Sequence, residues 1–236
     1  MNDRNRPRVV VLVESLYIPS ELRDYQTVFG EHGMDVEFYS RLWDNASLEF
    51  FSLVENSNET LESITVTNAV EWFSKDENDP NHRRLEDYDA VIASAAFTSV
   101  RLRYYDISRQ ETARTTPVVE LFARAMADRR LIKGALCHGL WLATPRPENL
   151  SGRRVTCHEV VEADVINAGA KIVRDPVMKD GKPFFHENGE PVMINAALVE
   201  DGDLVTGKSK VEAKIMAQAI AQKITLVRSG ATLPWV

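Results

Sequence analysis

Ile132-Lys-Gly-Ala-Leu-Cys-His-Gly139 is the stretch on which the fold turns. Its first five residues form a short apolar run of the kind that fills a strand buried on both faces of a parallel sheet. The run ends at a nucleophilic residue type, Cys137, and a short helix over His138–Thr144 is predicted directly after it. A strand that passes at once into a helix needs a sharp turn with small neighbours, and Ala135 and Gly139 supply them. A helix start carries partial positive charge and free N–H groups, which favour thiolate over thiol and can hold an oxyanion. Two readings of Cys137 stay open on these residues, because cysteine is also a small apolar core residue. A histidine at a helix start after a buried strand has little packing reason to be there, which weighs toward chemistry.

Outward from this turn the chain alternates strands and helices. Arg8-Val-Val-Val-Leu-Val13 is a continuous β-branched run, Pro19 and Ser20 open a helix over Glu21–His32, and Gly33 stands in C-cap position. Val36–Tyr39 reads as a second strand, completing a βαβ start. Leu61–Thr67 suggests a strand, Ser74–Arg84 a polar loop, Tyr88–Ala93 a buried strand and Pro117–Asp128 a helix. After the cysteine come Arg154–Cys157 and a helix around Val160–Ala168, with Cys157 read as a buried strand residue. Lys171–Thr206 differs, because Asp180-Gly181, Asn188-Gly189 and Asp201-Gly202 supply the positive φ of tight turns, predicting antiparallel hairpins. Ser209–Ile224 reads as a last amphipathic helix with Val211, Ile215, Ala219 and Ile220 on one side.

Composition narrows the classes. The chain has 236 residues, is 44% hydrophobic and carries a formal charge of -7 spread along its length. That argues against nucleic acid and anionic membranes as partners, which select clustered Lys and Arg. No apolar run approaches a membrane span, and the polar Met1–Arg8 is no signal peptide, so a cytoplasmic protein is expected. Cys137 and Cys157 then read as free thiols.

Ala135-Leu-Cys-His-Gly139 resembles the nucleophile elbow of the DJ-1/PfpI superfamily. Tyr88–Ala93 resembles the family's strand before its Gly-Gly turn. Leu150-Ser-Gly-Arg-Arg-Val-Thr156 and Asp164-Val-Ile-Asn-Ala-Gly-Ala170 resemble the segments after the elbow, as do Asp175-Pro-Val177 and the Asp201-Gly202 turn into Leu204-Val-Thr206. The resemblance implies an α/β, flavodoxin-like three-layer sandwich with a mainly parallel central sheet and an added β-hairpin region near 171–206. It also implies a single domain over 1–236, with a hairpin insertion near 182–200.

The family pairs its cysteine with a glutamate near the first helix, and Glu21 falls at the matching place. A protonated carboxyl beside a thiolate donates a hydrogen bond and later moves a proton. First-turn complementarity to the helix dipole is the plainer reason for Glu21. Glu14, at the end of the first strand, is its rival, because ligands in such sheets bind beyond the strand ends. His138, beside the nucleophile as in PfpI-type members, and His158, where DJ-1-type members carry a histidine, compete for the base role. Either imidazole also has a structural alternative.

The chain departs from the family in two places. The Gly-Gly turn that supplies an oxyanion N–H should fall at Ala93-Ser-Ala-Ala96, where there is no glycine. Ser94, Ala95 and Ala96 are therefore the candidate oxyanion and substrate contacts, with added Cβ atoms that narrow the site or change the turn. The insertion carries Phe184, Phe185 and His186, with core packing expected for the two phenylalanines.

The function implied is a cofactor-independent cysteine enzyme acting on a small carbonyl or related electrophile. Glyoxalase III-like lyase, hydrolase and specialised biosynthetic chemistry all fit, and a homodimer is implied. A redox-sensing or chaperone-like stress protein using the same thiol is the alternative. A glutamine amidotransferase would want glycine at Ala135 and a late His-x-Glu pair. A dinucleotide enzyme would want G-x-G-x-x-G after the first strand. No metal is expected, because neither Cys137-His138 nor Cys157-His158 has ligand spacing.

Overall fold

The computed structural model describes residues 6–233, and most of the polar leader Met1–Arg8 lies outside them. Its strands are β1 (Arg8–Leu12), β2 (Asp35–Ser40), β3 (Leu48–Phe51), β4 (Ser63–Val66), β5 (Asn68–Ala69), β6 (Ala90–Ala93), β7 (Ile132–Leu136) and β8 (Arg154–Val155). Then come β9 (Lys171–Ile172), β10 (Arg174–Pro176), β11 (Met178–Lys179), β12 (Lys182–Pro183), β13 (Met193–Asn195), β14 (Leu198–Asp201) and β15 (Leu204–Gly207). The α-helices are α1 (Pro19–Glu31), α2 (Thr98–Leu102), α3 (Pro117–Ala127), α4 (Glu159–Asn167) and α5 (Ala213–Arg228).

Seven strands form the central sheet in the order β14-β15-β7-β6-β1-β2-β5. Every pairing is parallel except β14 with β15, which close through the Asp201-Gly202 turn. Val9, Val10, Val11 and Leu12 are all 0% exposed, as a central parallel strand with both faces covered requires. One face packs against α1 and α5 through Val28, Phe29, Met216 and Ile220; the other packs against α3 and α4 through Val118, Phe122, Val161 and Val165. This is the mainly parallel α/β sandwich that the sequence predicts.

The register explains where chemistry can sit. Leu12 pairs with Ala93, Ala93 with Ala135, and Leu136 with Gly207, so four strands end at one level. The residues just past those ends, Glu14, Ser94 and Cys137, share one rim, as in other open α/β sheets. At the other end of β7, Lys133 and Asp203 are wholly buried and ion-paired. Arg153 adds bonds to Asp203 at 2.7 Å and Asp201 at 2.6 Å.

Several elements differ from expectation. His138–Thr144 is not an α-helix; a single 3₁₀ turn covers Gly139–Leu142. A 3₁₀ turn over Lys210–Glu212, closed by a Ser209–Glu212 capping box, precedes α5. Its tighter winding takes Val211 out of the expected phase, and Val211 is 75% exposed; within α5, Ile215 is 43% exposed while Ala219 and Ile220 are buried. The region near 171–206 folds as antiparallel ribbons, β10 with β13 and β11 with β12, ahead of the β14–β15 hairpin. Phe184 and Phe185 sit there 46% and 51% exposed rather than in a core. No helix among the described residues is long and apolar enough to cross a membrane.

Candidate active site

The turn at Cys137 is built as a nucleophile elbow. Cys137 holds φ at 59°, the left-handed region that costs a non-glycine residue about 1–2 kcal/mol, so the surroundings must impose it. Its N–H donates to Gly207 O at 2.8 Å, which ties the elbow to β15. A Cβ on Gly139 would lie 2.5 Å from Ala93 O, so only glycine lets the chain pass β6 there. Ser99 on α2 donates its hydroxyl to His138 O at 2.9 Å. The cysteine lines a cavity of about 390 Å³ with Ala95, Ala96, His138 and His158.

Glu21, in the first turn of α1, is wholly buried. Its Oε1 accepts from Tyr25 Oη at 2.8 Å, and its two oxygens accept from Ala95 N–H at 3.0 and 3.1 Å. Burial pushes its carboxyl up to about 7, against the pull of the Ala95 N–H, the Tyr25 hydroxyl and Ser94. The Cys137 thiol is pushed up to about 11, chiefly by burial and further by the charges of Glu21 and Glu159. The backbone amides of Ala96 and His138 oppose that rise. The resting sulfur is therefore a thiol, not the thiolate that a helix start suggested; no α-helix begins here to supply a macrodipole.

His138 is 7% exposed and donates its Nδ1–H to Ala96 O at 2.8 Å, since a carbonyl can only accept. Its Nε2 then carries the lone pair and is buried without a hydrogen-bond partner. Burial lowers its pKa, keeping the ring neutral. Phe97, Trp141 and His158 surround the ring at centroid distances of 5.3, 5.2 and 5.0 Å. His158 is the N-cap of α4, with Nδ1 accepting from Val160 N–H at 3.2 Å. Its own N–H donates to Cys137 O at 3.2 Å. Both histidines thus face the cysteine cavity, each with one ring nitrogen in a structural bond.

The turn over Ser94–Ala96 is left-handed at its last residue. Ala96 takes φ at 57°, so alanine occupies a left-handed position that glycine would fill without strain. Ala95 N–H, expected at the oxyanion, is engaged by Glu21. Ser94 is buried beside Glu21. The amides of Ala96 and His138 act on the Cys137 sulfur. Glu14 stands apart from the cysteine cavity: its Oε2 pairs with Arg101 at 2.6 Å, and it lines a separate cavity with Arg41 and Trp43. Tyr25 was missed, although its place one turn after Glu21 on the same helix face is the signal that could have found it. Cys157 is fully buried just past β8, not in a strand. No group of three or more His, Cys, Asp or Glu among the described residues is placed to hold a metal ion.

The DJ-1/PfpI family model matches residues 107–223, which include the elbow, α4 and most of α5. The chain belongs to the DJ-1/PfpI superfamily. Solved structures of the superfamily share its fold over almost all of its length. A two-domain protein from Anabaena variabilis, with DJ-1/ThiJ/PfpI-like and ferritin-like domains, matches at TM-score 0.65 and 18% identity. That match covers 96% of this chain and 49% of the other, so this chain spans about half of that protein. A ThiJ/PfpI domain protein from Brachyspira murdochii matches at TM-score 0.59 and 15% identity, covering 94% of this chain and 98% of that one. Drosophila melanogaster DJ-1beta matches at TM-score 0.58 and 14% identity, covering 95% and 97%. At such identities the likeness is one of fold. The comparison with curated proteins returned no match. At the turn facing its cysteine this chain carries Ser94, Ala95 and Ala96.

Proposed function

We propose that the protein is a cofactor-independent cysteine enzyme whose Cys137 adds to a small carbonyl compound or related electrophile. The observation that carries this is the left-handed Cys137 turn opening on a cavity, with the wholly buried Glu21 carboxyl, poised near 7 and bonded to Ala95 of the cavity wall, acting on its sulfur. A buried acid with its pKa at the working pH can both take and return a proton. Glu21 takes the thiol proton as the sulfur forms its bond to the carbonyl carbon. The carbonyl electron pair moves to oxygen, where the amides of Ala96 and His138 stabilise it. A proton then passes to that oxygen from Glu21 or, through His138 Nε2 and His158, from solvent. The adduct is a thiohemiacetal, from which lyase and hydrolase outcomes diverge.

A redox-sensing role wants a thiolate at neutral pH. A thiol held near 11 disfavours it. The test is turnover of methylglyoxal by the native protein and by Cys137→Ala. Loss of turnover with the substitution supports the proposal; absence of turnover in the native protein with methylglyoxal and with simple aldehydes and esters overturns it. The homodimer implied by the family is read separately, by light scattering during size-exclusion chromatography.

A further inference from the structure

We infer that the cavity over Cys137 is shaped for a neutral electrophile bearing a bulky apolar substituent, aryl or branched alkyl, and discriminates against carboxylates. The inference deepens the proposed function and rests on its reading of Cys137 as the nucleophile. The cavity measures about 390 Å³, within the range of sites that enclose drug-sized molecules and far more than a three-carbon aldehyde occupies. Ile18, Leu53, Phe97, Val160 and Val211 form much of its wall. Phe97, Val160 and Val211 remain 42%, 60% and 75% exposed. Val160 opens α4 and Val211 sits in the 3₁₀ turn before α5, so two separate elements each place a solvent-facing valine at the same cleft. Scattered exposed valines need no explanation, but apolar side chains converging on one cavity beside a buried thiol do.

Charge points the same way. Lys210 supplies the cavity's one lysine or arginine, and it is ion-paired with Glu55, which lines the same wall. Lys208, nearby, pairs with Glu159 at 2.9 Å. Glu21 and Glu159 both act on the Cys137 sulfur as negative charges, so an incoming carboxylate meets repulsion there. His138 is neutral, and its one unpartnered nitrogen is a lone pair, which offers a carboxylate no donor. An uncharged carbonyl with an apolar arm meets none of these penalties.

The experiment compares alkylation of Cys137 by three reagents, each transferring its carbon to sulfur with loss of iodide: iodoacetamide, N-benzyl iodoacetamide and iodoacetate. Second-order rates, followed by mass spectrometry of the Cys137 peptide, are each divided by the rate with glutathione. The benzyl reagent is expected to gain about 10-fold over iodoacetamide from the apolar area it buries, and iodoacetate to lose about 10-fold. Val211→Asp and Val160→Asp should each cut the benzyl preference about 3-fold or more, whereas Ile107→Asp, at a site 77% exposed and away from the cavity, should leave it. Normalised rates within about twofold of one another for all three reagents, or iodoacetate reacting fastest, overturn the inference. Turnover separates the two claims. Phenylglyoxal exceeding methylglyoxal in kcat/KM supports both, and the labelling pattern without turnover of either leaves the cavity assignment standing while the enzymatic reading falls.

Discussion

Replacing Glu21 with glutamine tests the electrostatics of the site without removing its volume. Glu21 is fully buried, and its carboxyl rises from 4.5 to about 7 because burial penalises the charged form. Its folded pKa lies above its unfolded one, so between those values the folded state binds the extra proton. By linkage, stability is then lost as pH rises from about 4.5 to 7. Relative to low pH, the stability lost through this shift is about 1 kcal/mol at pH 5 and about 3 kcal/mol at pH 8. Glutamine imitates the protonated acid: its carbonyl can accept from Tyr25 Oη and Ala95 N–H, and it never ionises. The stability difference between Glu21→Gln and the native protein should therefore move in the variant's favour by about 2 kcal/mol between pH 5 and pH 8. Urea unfolding at half-unit pH steps reads this directly, and only the slope matters, so a constant offset from imperfect packing does no harm. A difference that stays flat across that range would falsify the claim that Glu21 ionises in the folded protein near neutral pH.

Three further outcomes follow from the geometry. Gly139→Ala forces a methyl to within 2.5 Å of Ala93 O, so thermal unfolding should show a loss of about 2 kcal/mol or more, with the Cys137 alkylation rate changed. Asp203→Ala strands the wholly buried Lys133 and should cost about 3–5 kcal/mol in urea unfolding; Lys133→Met with Asp203→Leu should recover much of it unless Arg153 needs the carboxylate more. Ala96→Gly relieves a left-handed alanine by about 1 kcal/mol while adding unfolded-chain entropy of similar size, so the melting temperature should barely move. Its readout is access instead: N-benzyl iodoacetamide should react faster once the methyl leaves the cavity wall.

The strand run at Arg8–Val13, the βαβ start and the elbow were all legible because each is dictated by local chemistry: β-branched runs, a Pro-opened helix, a glycine where two backbones touch. Glu21 was singled out by resemblance, and its complete burial against Tyr25 and Ala95 goes beyond what first-turn complementarity to the helix dipole requires. What stayed hidden was long-range. In β3 only Phe50 is buried, so Leu48–Phe51 offered neither alternation nor an apolar run. The five-residue α2 has no side-chain cap at its start. The missing glycines at Ser94–Ala96 suggested a changed turn; the chain is left-handed there all the same, with Ala96 carrying a strain of about 1–2 kcal/mol. Val211 was assigned to a packing face because a 3.6-residue period was carried back through a 3₁₀ turn, and that error concealed a wall of the cavity. Glu14 was plausible from its strand end alone; only the position of Arg101 decides that it serves as an ion-pair partner.

The two buried acids constrain the reaction more than either does alone. Moving the proton from a thiol near 11 to a carboxylate near 7 costs up to about 5 kcal/mol. That is an upper bound, because the thiol is held up partly by the charge of Glu21, and the transfer itself neutralises that charge. A reaction proceeding at about 10 s⁻¹ has a total barrier near 16 kcal/mol, so about 11 kcal/mol or somewhat more remains for forming the carbon–sulfur bond. An aldehyde activated by a neighbouring carbonyl suits a nucleophile prepared only on demand. An amide does not, because acyl transfer to a poor leaving group wants the thiolate already formed and an acid positioned at the departing nitrogen. On the function proposed above, this protonation state is the reason to expect carbonyl addition over peptide cleavage. It also gives the apolar cavity a second consequence: a substituent that expels water raises the cost of forming the thiolate, so only a substrate electrophilic enough to draw it out will react.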